Sequence, residues 1–189
     1  MFRRLILFLV FCFVFTGAQA DNIMFRGYKN ALRLDFFHDV FDNYSNSISM
    51  FTASYSQPNT FFRLDGRRSI HASYMFGKIR ASGASSEWRR QLYDVPLRRD
   101  VSQFAVGLTQ DAVVYKTTNW YFGGGVGPYV KEHKDDWLAS NFMFGIRVFA
   151  GYNLGKLGLE FILHHFSNGH LTELNRGQNT AGLGVSYNF

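Results

Sequence analysis

Between Leu157 and Ser167 the residues alternate with a period of two, and this pattern restricts the fold more than any other feature of the chain. Leu157, Leu159, Phe161 and Leu163 share one face, which runs on into His165 and Ser167. Gly158, Glu160, Ile162, His164 and Phe166 share the other. Successive side chains of a strand point to opposite sides, so the segment is a strand with one oily wall and one mixed, partly charged wall.

The same alternation recurs along the chain. It predicts strands over 31–38, 47–56, 69–79, 102–115, 119–131, 141–153, 156–167 and 179–189, the second being the least regular and a place for a bulge. Aromatic residues make up 18 % of the chain, with 18 glycines and only 3 prolines, a mix that suits strands and tight bends. Beyond the first twenty residues no apolar run approaches the roughly 20 residues of a spanning helix. Short links at 116–118 and 154–155 alternate with long polar ones at 39–46, 80–100, 132–140 and 168–178. The link 57–68 breaks the pattern by its length. Alternating long and short links are those of an antiparallel transmembrane barrel. Eight strands close around a lumen filled by side chains. Arg147, Glu160 and His164 fall on the inward face, where Arg147 and Glu160 are expected to pair and His164 to join a polar network. The rival fold, a soluble lipocalin-like barrel, would turn its apolar face inward.

The two ends of the chain agree with export to an outer membrane. Arg3 and Arg4, the apolar run 5–15 and Ala18-Gln19-Ala20 form a secretory signal, with the barrel domain following over 21–189. Val185, Tyr187 and Phe189 alternate with Gly184, Ser186 and Asn188, resembling the last strand of bacterial outer-membrane barrels. The only cysteine, Cys12, leaves with the signal, excluding thiol chemistry. Without Arg3 and Arg4, 18 basic residues face 14 acidic ones, a charge of +4 too small to argue for nucleic acid.

With both termini on the periplasmic side, strand 156–167 runs outward. His165 and Ser167 then stand at the outer-leaflet end of its lipid-facing stripe. A polar pair there is costly unless it is used or solvated. A histidine two residues before a serine can take its proton as the oxygen attacks an ester.

His165-Phe166-Ser167-Asn168, followed by Gly169, Asn175, Gly177 and the final strand, resembles the His-x-Ser-Asn motif of the lipid A 3-O-deacylase (PagL-type) family of outer-membrane barrels. The resemblance implies Ser167 as nucleophile, His165 as general base and Asn168 as an oxyanion donor. It implies hydrolysis of the ester-linked 3-hydroxyacyl chain at position 3 of lipid A, without cofactor or metal. Family members with a full triad carry Glu twelve residues after the serine; here Asn179 stands there, facing lipid if it lies opposite Ser167. Asparagine can orient an imidazole but adds no charge. Glu173, in the intervening loop, is the alternative acid. Arg89 and Arg90, with Arg80, Arg98 and Arg99, line a long loop suited to lipid A phosphates, and Lys131, His133 and Lys134 form a weaker cluster. His133, Asp135 and Asp136 match no metal motif. The partner implied is lipopolysaccharide in the outer leaflet; a homodimer is compatible. The competing functions are a non-catalytic barrel for structure or surface interaction, and an acyltransferase or phospholipase acting on another lipid.

Overall fold

The structure, a computed structural model, describes residues 22–40, 47–80, 98–135, 138–172, 175 and 177–189. The proposed signal, residues 1–20, lies outside them. Eight strands form one closed antiparallel barrel in chain order: β1 (Ala31–Asp39), β2 (Ser47–Phe61), β3 (Leu64–Arg80), β4 (Arg98–Lys116), β5 (Trp120–Lys131), β6 (Phe142–Leu154), β7 (Leu157–Ser167) and β8 (Gln178–Asn188). β1 closes the barrel on β8, from Ala31 opposite Asn188 to Asp39 opposite Thr180.

The period-two pattern reads directly into burial. Every second residue of β1, β7 and β8 is buried, and the residues between them face outward. The outer wall is apolar: Leu34 and Leu183 are each 69 % exposed, with Phe104, Ile70 and Phe161 around them. So large an exposed apolar surface is untenable in water and is the surface a bilayer covers. The lumen is closed by its own side chains, which removes the lipocalin-like alternative. Its loop-end half is apolar, with Phe37, Met50, Met75, Met143 and Phe166 buried.

Its turn-end half is ionic. Glu160 binds Arg33, Arg67 (2.6 Å) and the Tyr121 hydroxyl (2.6 Å). Asp111 binds Arg67 and Arg147, each at 2.7 Å. The expected pairing of Arg147 with Glu160 is therefore not made. Register is the reason: Glu160 lies opposite Gly151, whereas Arg147 lies opposite His164. Arg147 instead reaches Asp111 across β5, where Gly125 leaves the room; a Cβ there would lie 1.9 Å from Asp111 Oδ1. Each carboxylate meets two arginines, the arrangement that offsets the cost of burying charge.

Two further expectations are corrected. The link 57–68 is not a loop: β2 and β3 pair down to Phe61 opposite Leu64 and turn on Phe62-Arg63 alone, both with positive φ (48° and 67°). This is the conformation of a two-residue hairpin turn, made here without the glycine or asparagine that usually marks it. The bulge is not in β2, whose ladder with β3 is continuous, but in β4 between Val113 and Tyr115. All connections at this end are thus short. The chain entering β1 folds beneath the same end. Asn22, Met24 and Phe25 are buried there, and the Asn22 side chain donates to Gly66 O at 2.7 Å.

Candidate active site

β7 and β8 bring three of the named residues to the outer wall at the loop end. His165 is half-buried and faces outward, directly opposite Asn179. Its Nδ1 lies 2.8 Å from Asn179 Oδ1. Asn179 faces outward, and the register sets it beside the imidazole and not opposite Ser167. An amide oxygen only accepts, so it selects the tautomer with hydrogen on Nδ1 and leaves the Nε2 lone pair free as a base. Ser167 ends β7 on the same outward face, opposite Phe144. No hydrogen bond joins its hydroxyl to His165.

The ring of His165 has a fitted neighbour that sequence reading did not weigh as part of the site. Gly177 has φ of 67°, and a Cβ on it would lie 2.8 Å from His165 Cε1. It combines a backbone conformation that glycine tolerates best with an absence of side chain where the imidazole sits. The signal was present in the sequence as a glycine just before the last strand.

Asn168 is turned away from this face. It is fully buried; its Nδ2 donates to Leu138 O and to Thr172 Oγ1 (2.6 Å), and its Oδ1 accepts from His170 N (2.9 Å). Its own backbone N–H donates to Asn175 Oδ1 at 2.9 Å. The side chain thus ties the β7–β8 loop to the β5–β6 loop. Gly169, next in the chain, is exposed with φ of 61°.

His164 points into the barrel as expected but joins no polar network. Both ring nitrogens lack a hydrogen-bond partner, and the ring packs on Phe166 (centroids 4.0 Å apart), Tyr129 and Phe37. Lys131 is likewise unavailable for capturing a headgroup: its side chain is wholly buried and paired with Asp135. His133 and Lys134 are exposed at the rim, as is Arg99. Glu173, Arg89 and Arg90 lie outside the described residues. Among the described residues no cluster of His, Cys, Asp and Glu could hold a metal.

An eight-stranded closed barrel with an apolar outer wall and an ionic lumen is the architecture of the outer-membrane class. The protein-family model described as lipid A 3-O-deacylase (PagL) matches residues 62–188, two thirds of the chain and all of β3 to β8. The chain belongs to that family. Its barrel is similar to that in the crystal structure of the outer membrane enzyme PagL, with a TM-score of 0.56 at 12 % identity over 84 % of this chain and 99 % of that one. It is also similar to Neisserial surface protein A, with a TM-score of 0.50 at 12 % identity over 85 % and 97 %. At such identities the likeness is one of fold. No curated protein matches the chain.

Proposed function

We propose that this protein is a serine esterase of the outer membrane that removes the ester-linked 3-hydroxyacyl chain at position 3 of lipid A. The observation that carries the reading is the Asn179–His165 hydrogen bond beside Ser167, on the outer wall of a barrel from the deacylase family. His165 Nε2 takes the Ser167 proton as Oγ attacks the ester carbonyl. The tetrahedral intermediate collapses, the C–O bond to the sugar breaks, and the imidazolium returns the proton to the departing sugar oxygen. Water, deprotonated by the same nitrogen, then releases the fatty acid and regenerates the serine.

Asn179 holds the tautomer and the ring plane but leaves the imidazolium without a counter-charge. Asn168 supports the oxyanion indirectly, by fixing the turn after Ser167. The Gly169 N–H, which has no hydrogen-bond partner among the described residues, supplies the donor in this reading. Arg89, Arg90 and Glu173 enter as phosphate contacts and as an auxiliary acid in the loops outside the described residues. The chain reaches the membrane through its signal, residues 1–20, and works on the outer leaflet.

Mass spectrometry of lipid A from cells making the protein tests the reading. Loss of one 3-hydroxyacyl chain in the parent, and no loss with Ser167→Ala or His165→Ala, is the expected result. Unchanged lipid A from a folded, membrane-inserted parent would instead favour a barrel that binds without catalysis.

A further inference from the structure

A second histidine–serine pair stands on the outer wall. His38 of β1 and Ser49 of β2 lie directly opposite each other, both facing outward, with His38 Nδ1 2.9 Å from Ser49 Oγ. Their position relative to the candidate site follows from the registers. Ala181 of β8 lies opposite Leu163 of β7 on one side and opposite His38 on the other. His38 is therefore two strands from β7, about 10 Å around the wall at the usual strand spacing. It sits one outward position nearer the turn end than the His165–Asn179 row. Of the outward side chains of β8 in between, Ala181 is small and Asn179 stands one outward position nearer the loop end.

The pair is not a second hydrolytic centre. Ser49 lies within the β2 ladder, opposite Phe76 of β3, and not at a strand end as Ser167 does. Among the described residues no third residue holds the other nitrogen of His38. Outward polar groups at this depth in lipid are nonetheless costly without a partner.

Below the pair the wall is grooved. The cross-strand pair Ala53 and Ala72 forms the floor of a groove of about 480 Å³, walled by Phe36, Phe51, Tyr74 and Leu183. Phe36 and Phe51 lie immediately beneath His38 and Ser49. The polar pair lies just beyond the groove, past the Phe36 and Phe51 rings at its edge, so a fatty-acyl chain in the groove would run over these rings to bring its carbonyl to the pair.

We infer that His38 and Ser49 form a subsite that binds an acyl carbonyl of the same glycolipid molecule whose ester is cleaved at Ser167, with that second acyl chain lying in the Ala53–Ala72 groove. The inference rests on the proposed function. A carbonyl only accepts, so it selects the form in which Ser49 Oγ–H donates to His38 Nδ1 and Nε2–H points outward to the ligand. Depth favours a carbonyl over phosphate. The pair lies level with Leu163, two outward positions or about 13 Å along the strand nearer the turn end than Ser167, on the side where acyl chains run, whereas phosphates sit further out on the sugar. His38 and Ser49 both precede the segment matched by the family model. The subsite would thus set which acylation patterns this chain prefers.

The test compares hydrolysis of hexa-acylated lipid A with that of a soluble short-chain ester, in detergent, for the full-length protein and its His38→Phe, His38→Gln and Ser49→Ala variants. Heat-modifiable gel migration checks that each barrel is folded. His38→Phe should lower the ratio of kcat/KM for lipid A to that for the soluble ester about fivefold, through KM, as expected for one lost neutral hydrogen bond. His38→Gln, which keeps an N–H donor, should recover part of it. In a Ser167→Ala background, lipid A binding should weaken by the same factor on adding His38→Phe. An unchanged ratio and unchanged binding would overturn the subsite while leaving the esterase intact. Dependence on His38 that vanishes with dephosphorylated lipid A would overturn the carbonyl assignment in favour of phosphate. A parent that hydrolyses neither substrate would instead defeat the proposed function, and the binding arm would still decide the subsite.

Discussion

The outer wall carries two outward histidine–serine pairs at the same end of the barrel, and they are built differently. In the β7–β8 pair, His165 is held at Nδ1 by Asn179, and the serine follows two residues later at the point where the strand ends. In the β1–β2 pair, the serine itself occupies Nδ1 of His38, and that serine lies inside a strand. The first arrangement leaves Nε2 free as a base and places the hydroxyl beside irregular backbone. The second leaves only a single polar atom directed outward. A nucleophile needs a base whose far nitrogen is held by a third group; a hydrogen-bonded His–Ser contact alone is a binding element. The comparison explains why the closer histidine–serine contact in the structure is not the one we assign to chemistry.

The largest expected effects follow from that contrast. Ser167→Ala and His165→Ala should each lower lipid A deacylation at least about a thousandfold, since members of a nucleophile–base unit act together. Ser49→Ala and His38→Ala should cost only several-fold. Initial rates of release of the 3-hydroxy fatty acid check both. Comparable losses from the two pairs would remove the distinction drawn between them.

Asn179 sharpens the comparison from the other side. Removing it by Asn179→Ala frees the His165 tautomer and should lower kcat roughly a hundredfold. Asn179→Glu supplies a charge to the imidazolium as it forms, and should raise kcat about tenfold above the parent. Because Asn179 lies opposite His165 at the strand edge, the longer carboxylate has space on the exposed side. A fall in kcat with Asn179→Glu would mean that the amide is not acting through the imidazole.

Most of the barrel was legible because its signal is local. Alternation along β1, β7 and β8 fixes which side each residue takes, and side is all that is needed to find His165 and Ser167. What alternation cannot fix is register between strands, and the corrections are of that kind. The sequence puts Arg147 and Glu160 on the same wall, but only the pairing of β6 with β7 separates them, and Asp111 comes from β4, far away in sequence. Asn179 was counted from Ser167 along the chain, whereas the hairpin sets it against His165. His38 and Ser49 were invisible as a pair for the same reason. The two-residue turn at Phe62-Arg63 escaped notice because positive φ in such residues leaves no compositional mark. The tie made by Asn168 to Leu138 depends on a loop packing that no motif encodes.

The smallest predicted effect concerns Gly177, and it separates a role in positioning from one in folding. Alanine there would be strained at φ of 67°, costing about 1 kcal/mol, a modest share of a stability of 5–15 kcal/mol. The barrel, closed by eight strand pairings, should therefore fold and insert normally. The new Cβ would nonetheless arrive 2.8 Å from His165 Cε1, and the imidazole would have to tilt, lengthening its hydrogen bond to Asn179. The activity of Gly177→Ala should fall about fivefold, in kcat rather than KM, because the ring that moves is the base and not a contact for the acyl chain. Variants of His38 should show the opposite split, with KM rising and kcat little affected. A Gly177→Ala barrel that folds, keeps its heat-modifiable migration and retains full kcat would show that the ring of His165 is not held in place by its neighbours, and would weaken the assignment of this pair as the hydrolytic one.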